Sequence, residues 1–326
     1  MILPYLARLV CLSLAAFFLV HATLGLAVYA LTPWAVRFAG RIVSARGARL
    51  LLALRLLPPA FALFVVTGLC APSYLYLEPK GAPEETGLVC LTGALMGLFL
   101  WGSSITRAAR AMAYSLRHIR QCRERSREMR LPVARTAAWV IDGSAPCVML
   151  AGVLRPRMVI SRNVVAALSA EELSAVIRHE QAHGVSHDNL KRLLVLLAPG
   201  ILPFASGFRN LERAWMKISE WAADDFAAAG KTRRSLSLAA ALVRVARLGT
   251  ATSSPALATS LMASGADLSE RVDRLLRPTP RTACLRHREP ILTASASLLL
   301  IGALAAAIAH PVTLRSAHEC LEFLIQ

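Results

Sequence analysis

Long uncharged apolar runs alternate with arginine-rich stretches along this chain. Residues 10–31, 56–77, 87–105 and 291–309 contain no Asp, Glu, Lys or Arg. A hydrocarbon core about 30 Å thick is crossed by about 20 apolar residues at 1.5 Å rise each, so each run predicts a transmembrane helix. The first run exceeds the 7–15 apolar residues typical of a cleaved signal peptide. A fifth run, 193–206, is interrupted by Pro199, Gly200 and Pro203 and is too short to span straight. It is expected to be re-entrant, interfacial or packed in the core.

Between the third and fourth runs the pattern changes. Short apolar stretches at 139–141, 147–150 and 157–160, punctuated by Asp142-Gly143, Gly152 and Pro156, predict a small antiparallel sheet. Ser169 stands three before Glu172, a capping-box signature, and Leu173, Val176 and Ile177 then mark one helical face. A second helix is predicted over 211–229, closed by Gly230. The expected fold is a mainly α integral membrane protein. It divides into three membrane helices in 1–106, an α+β domain over 107–289, a fourth membrane helix at 290–309 and a short tail, 310–326.

Composition agrees. The 326 residues are 56% hydrophobic and 17% charged, whereas soluble domains carry about 45–50% apolar and about 25% charged residues. That excludes an ordinary soluble globule and, equally, a disordered chain. The net charge of +17 sorts by position. Arg37, Arg41, Arg46 and Arg49 separate the first two runs without an acid, and further arginines follow the third run and precede the fourth. By the positive-inside rule these flanks are cytoplasmic. The expectation is a multi-pass protein of the inner (plasma) membrane, N-terminus and C-terminal tail outside, with 107–289 in the cytoplasm. The partner of this charge is then the lipid bilayer, and no direct nucleic-acid contact is expected. Seven scattered cysteines without a CxxC pair give neither a disulfide framework nor a cysteine metal site.

The chemistry concentrates in His179-Glu180-Gln181-Ala182-His183. Helical residues four apart are neighbours, so both imidazoles can face one ion, and imidazole suits Zn²⁺. Glu180, rotated off that line, is the candidate general base. At this composition the motif arises by chance in only about 0.01 copies. His187 lies about 12 Å along the axis from His179, too far to share the ion, and reads as a pocket-edge or solvated residue. Glu220 and Asp224 share a face of the second helix. Glu220 can complete a His₂Glu site, and Asp224 can orient a ligand histidine through its outer nitrogen.

His-Glu-x-x-His on a capped helix, Asp188-Asn189 just after it, and Glu220-x-x-x-Asp224 lying 37 residues past His183 resemble the membrane-embedded gluzincins. Three spans, a cytoplasmic zinc domain and one further span resemble the BlaR/MecR-type metallopeptidases. HtpX-type and CAAX-prenyl-protease-type peptidases share the zinc core, and Leu268-Ser269-Glu270-Arg271-Val272 resembles an arginine motif of these groups. The resemblance implies a zincin-like domain that hydrolyses a peptide or protein substrate, a cytoplasmic transcriptional repressor being one. His179, His183 and Glu220 would be the zinc ligands, Glu180 the base and Asp224 the outer partner. Arg271 would either stabilise the transition state or brace the site. The strand at Val148, Met149, Leu150 and Ala151 would pair with an extended substrate. Quality control of membrane proteins is the alternative role. A non-catalytic signalling or scaffold protein would instead close its metal site with a fourth ligand, His187 or Asp188. About 17 residues follow the last run, so an extracellular penicillin-binding sensor is not expected.

Overall fold

The computed structural model describes residues 4–79, 86–130, 137–142, 145–202, 207–249, 259–260, 265–277, 312–316 and 319. The run expected to form a fourth span, 291–309, lies outside them. Among the described residues, three helices are long and apolar enough to cross a membrane: α1 (Tyr5–Ala39), α2 (Ser44–Val65), which continues through a π-helical turn (Val66–Cys70) into α3 (Ala71–Leu77), and α4 (Leu88–Arg125). All three outrun their uncharged stretches. The 38 residues of α4 measure about 57 Å, so its arginine-rich half projects beyond the apolar half, and no break falls at the expected domain boundary near residue 106.

Small residues set the helix contacts. Gly93 and Gly97 of α4 form a small-xxx-small pair against α1. A Cβ at Gly97 would come within 2.5 Å of the Leu14 carbonyl oxygen, so glycine permits the approach. At the other end, Gly47 lies against the Ala39 carbonyl and the Ile218 side chain, closing the α1–α2 turn onto α8 (Arg209–Ala228).

The remaining elements form an α+β unit on that end. Strands β1 (Ser126–Arg130), β2 (Ala137–Ile141), β3 (Val148–Ala151), β4 (Arg157–Ser161) and β5 (Thr259–Ser260) lie in the order β1-β2-β4-β3-β5. The sheet is mixed, correcting the antiparallel expectation: β2 pairs with β4 in parallel, Val140 opposite Ile160. The β3–β4 hairpin, turned at Gly152 with φ of 106°, places β3 on the far side of β4. The near edge of β4 is thereby left for β2, which runs the same way. Polar β1 carries no apolar alternation and was not expected. Helices α5 (Arg162–Ala167), α6 (Ala170–Ser186), α7 (Asp188–Leu197), α9 (Thr232–Arg247) and α10 (Gly265–Leu276) complete the unit. Val148, Ile160, Val176, Ile177, Leu238 and Leu242 meet in its core.

Residues 193–202 of the fifth run pack against the membrane helices. Helix α7 ends at Leu197, before Pro199. Arg55 of α2 donates to the carbonyls of Val195 and Ala198 at 3.3 and 2.8 Å. His21 of α1 donates to the Gly200 carbonyl at 2.7 Å, and Ile201 fills the notch at Gly25. These contacts satisfy the carbonyls that the proline and glycine free, as low-dielectric surroundings demand. Residues 203–206 lie outside the described part of the run.

Candidate functional site

Helix α6 presents the histidine pair. Its start is the expected capping box: the Ser169 hydroxyl accepts from the Glu172 amide and the Glu172 carboxylate from the Ser169 amide. Leu173, Val176 and Ile177 bury its other side against the sheet and α9. Seventeen residues on, His187 ends the helix in the left-handed region at φ 56° and stands exposed, its Nδ1 donating to the Val185 carbonyl. His187 is thus a helix terminus, directed away from the ion site, and the break lets α7 start beside the site with Asp188.

His179, His183 and Glu220 bring one ligand atom each within 4.8 Å of one another. Nε2 of His179 is 3.2 Å from Nε2 of His183, and the Glu220 oxygens lie 3.4 and 3.5 Å from these nitrogens. A tetrahedral ion with bonds of about 2.0–2.1 Å separates its ligand atoms by about 3.3–3.4 Å, so the residues fit a zinc-sized ion. Each histidine is fixed from behind. Nδ1 of His183 donates to Asp188 at 2.7 Å, and Nδ1 of His179 lies 2.9 Å from Asp224. A carboxylate at Nδ1 holds the proton there and turns Nε2 to the site. Asp188, given above as part of the family resemblance and, for a structural site, as a fourth ligand, occupies this outer position instead; its place after the second histidine was the available signal.

Arg271 is 2% exposed and sits behind Glu220 and Asp224. Its Nε and Nη2 donate to the two Asp224 oxygens at 2.9 and 2.7 Å, and Nη1 lies 3.3 Å from Glu220. Lys191 reaches Asp188 at 2.9 Å. Arg192, more exposed and unforeseen from sequence, comes within 3.9 Å of Glu220. Asn189 donates to the carbonyls of Leu150 and Gly152 at 2.8 and 2.7 Å, tying β3 to the start of α7. The far edge of β3 is already paired: Met149 stands opposite Ser260 and Leu150 opposite Thr259. The expected substrate strand therefore carries the chain's own β5 there.

Charge is strongly shaped by this burial. Desolvation raises the Glu180 carboxyl to about 7, against the pull of His183 and His179, and neither of its oxygens has a hydrogen-bond partner among the described residues. Burial would lower His183, but Glu220 and Asp188 outweigh it and carry the imidazole up to about 10. His179 is raised against burial by Asp224 and Glu220. Burial would raise Glu220, yet His183, His179 and Arg271 hold it well below the usual carboxylate range. With no metal bound, His183 thus carries a second proton at neutral pH, which a cation at its Nε2 displaces.

Searches of curated proteins and of solved structures gave no match. A family model did: the BlaR1 peptidase M56 model matches residues 86–275, more than half of the chain and all of the site residues above. The chain belongs to the BlaR1 peptidase M56 family.

Proposed function

We propose that the protein is a membrane-embedded zinc endopeptidase of the gluzincin type, hydrolysing peptide bonds at a cytoplasm-facing site. One observation carries the reading: three ligand atoms at zinc spacing beside a buried carboxylate, Glu180, with no hydrogen-bond partner among the described residues. His179, His183 and Glu220 would hold Zn²⁺. When bound, the ion supplies Lewis acidity to the scissile carbonyl and acidifies water. Glu180 accepts the proton of the attacking water on a carboxylate oxygen and passes it to the departing amide nitrogen. Asp188 and Asp224 keep the Nδ1 protons in place. Arg271 neutralises the acids from behind and acts as a positioning residue. An extended substrate would take the edge of β3 that β5 occupies.

Ser44 donates to Asp225 of α8 at 2.8 Å, so the basic α1–α2 turn and the peptidase unit share one side, and the positive-inside rule supports a cytoplasmic assignment for it. Family membership supports a signalling role, with a cytoplasmic transcriptional repressor as substrate. The test is Glu180→Gln in the full chain: proteolysis of a cytoplasmic reporter is lost while one zinc per chain is kept. Full activity in that variant refutes the mechanism; absence of zinc from the parent protein, or zinc content unaffected by Glu220→Ala, refutes the ligand set.

A further inference from the structure

A cavity of about 500 Å³ opens between α1 and the start of α8, and neither histidine of the candidate site lines it. Leu26 and Tyr29 of α1 and Leu202 line one side, and Arg209, Asn210 and Arg213 of α8 line the other. Its depth can be read from α1. The uncharged run 10–31 is about 33 Å long and centred beside His21, which puts Tyr29 about 13 Å from the centre. The hydrocarbon half-thickness is about 15 Å. Tyr29 therefore sits at the hydrocarbon edge, the level where aromatic side chains gather. The cavity straddles that edge, apolar on the α1 side and cationic on the α8 side.

The two guanidinium groups lie one helical turn apart on one face and both residues are exposed. The acid between them in sequence, Glu212, pairs with Arg55 at 2.7 Å, and the two exposed arginines bring positive charge to the α8 wall. Leu26 and Leu202 remain exposed at 52% and 39%, and in a bilayer acyl chains cover them. Planar guanidinium donors match phosphate oxygens in pairs. We infer that this cavity binds one anionic phospholipid, its phosphate held by Arg209 and Arg213 and an acyl chain lying along Leu26 and Leu202. The inference rests on α1 crossing the bilayer. The occupant would steady the first two turns of α8, the helix that carries Glu220 seven residues beyond Arg213.

The full-length protein in detergent, titrated with phosphatidylglycerol and read by native mass spectrometry, tests this. One lipid should bind at least ten-fold more tightly than phosphatidylcholine of the same chains. Arg209→Gln/Arg213→Gln should lose at least ten-fold in that affinity, while Arg110→Gln/Arg117→Gln, which removes equal charge from exposed positions of α4, should change it less than two-fold. Equal losses in both double variants would show diffuse attraction and overturn the site. Equal binding of phosphatidylcholine overturns it too. Displacement of the lipid by inorganic phosphate at matched concentration removes the acyl contribution and overturns the lipid assignment. Retained zinc in the α8 variant shows that its fold is intact.

Discussion

Replacing Arg271 by Met distinguishes a brace from a group that reaches substrate. The side chain is 2% exposed and reaches Asp224 through two donors and Glu220 through a third, acids that are themselves buried or nearly so. Methionine fills similar volume but removes the guanidinium that Asp224 pairs with and that faces Glu220. Breaking a buried pair from one side costs about 3–5 kcal/mol, and the Asp224 contact, two donors to two oxygens, belongs at the upper part of that range. Asp224→Asn should be milder, and in the double variant the loss should fall well short of the sum, because the uncompensated charge is then gone. Equilibrium unfolding in mixed micelles, with metal chelated, measures all three. Zinc affinity should fall with stability in Arg271→Met, since Glu220 is no longer held. If instead stability changes by less than about 1 kcal/mol and zinc affinity is unmoved while kcat collapses, Arg271 contacts the reacting atoms and the bracing argument fails.

The metal-free protein should lose stability above neutral pH: His183, raised to about 10 from 6.5, contributes fully below about 6.5 and loses its contribution as pH climbs through about 10. Thermal midpoints of chelated protein between pH 6.5 and 10 check this, and a flat profile contradicts it. Zinc affinity should rise over the same interval, and Asp188→Asn, which frees Nδ1 of His183, should lower that affinity by about 10–100-fold in a chelator competition. Gly97→Ala should weaken the α1–α4 seam, where the new Cβ meets the Leu14 carbonyl at 2.5 Å, whereas Gly102→Ala, with nothing within 4 Å, should be neutral in the same melting assay. Proline at both Thr259 and Ser260 removes the amides that pair β5 to β3. Turnover of an extended peptide should increase, and unchanged turnover would show that β5 and substrate do not compete.

The features that sequence revealed are local. The capping box, the histidine pair at four-residue spacing and the three apolar helices each follow from residues within a few turns of one another. Glu220 was legible because its own helix repeats Glu220 and Asp224 on one face. What escaped depends on contacts between distant segments. The parallel pairing of β2 with β4 is decided by which edge the β3–β4 hairpin leaves open, and no periodicity encodes that choice. Asp188 could be seen beside the motif but not assigned, because its role follows from the left-handed His187 that turns α7 back toward Nδ1 of His183. Arg271 was placed in the site from a motif, while its direction, toward the acids, is a property of how α10 packs on α8.

Helix α8 ties these observations into one physical argument. Its 20 residues extend about 30 Å. Near its start, Glu212 pairs with Arg55, whose guanidinium also caps α7 and lies over the Phe208 ring. In its middle, Trp215 and Ile218 pack among Val28, Ala35 and Leu51 of the membrane helices. In its last turns Glu220 faces the histidines, Asp224 takes Arg271, and Asp225 takes both Ser44 of α2 and Arg274 of α10. The carboxylate proposed as ligand, Glu220, thus rides on an element held on one side by the α1–α2 hairpin and on the other by α6, α9 and α10. A shift of that hairpin along α8 must either break the Arg55 and Ser44 contacts together or carry Glu220 with it. Displacing one oxygen by about 1 Å is enough to spoil a three-ligand site. The membrane helices and the proposed metal site are therefore mechanically linked through α8, by Arg55–Glu212 near its start and Ser44–Asp225 near its end.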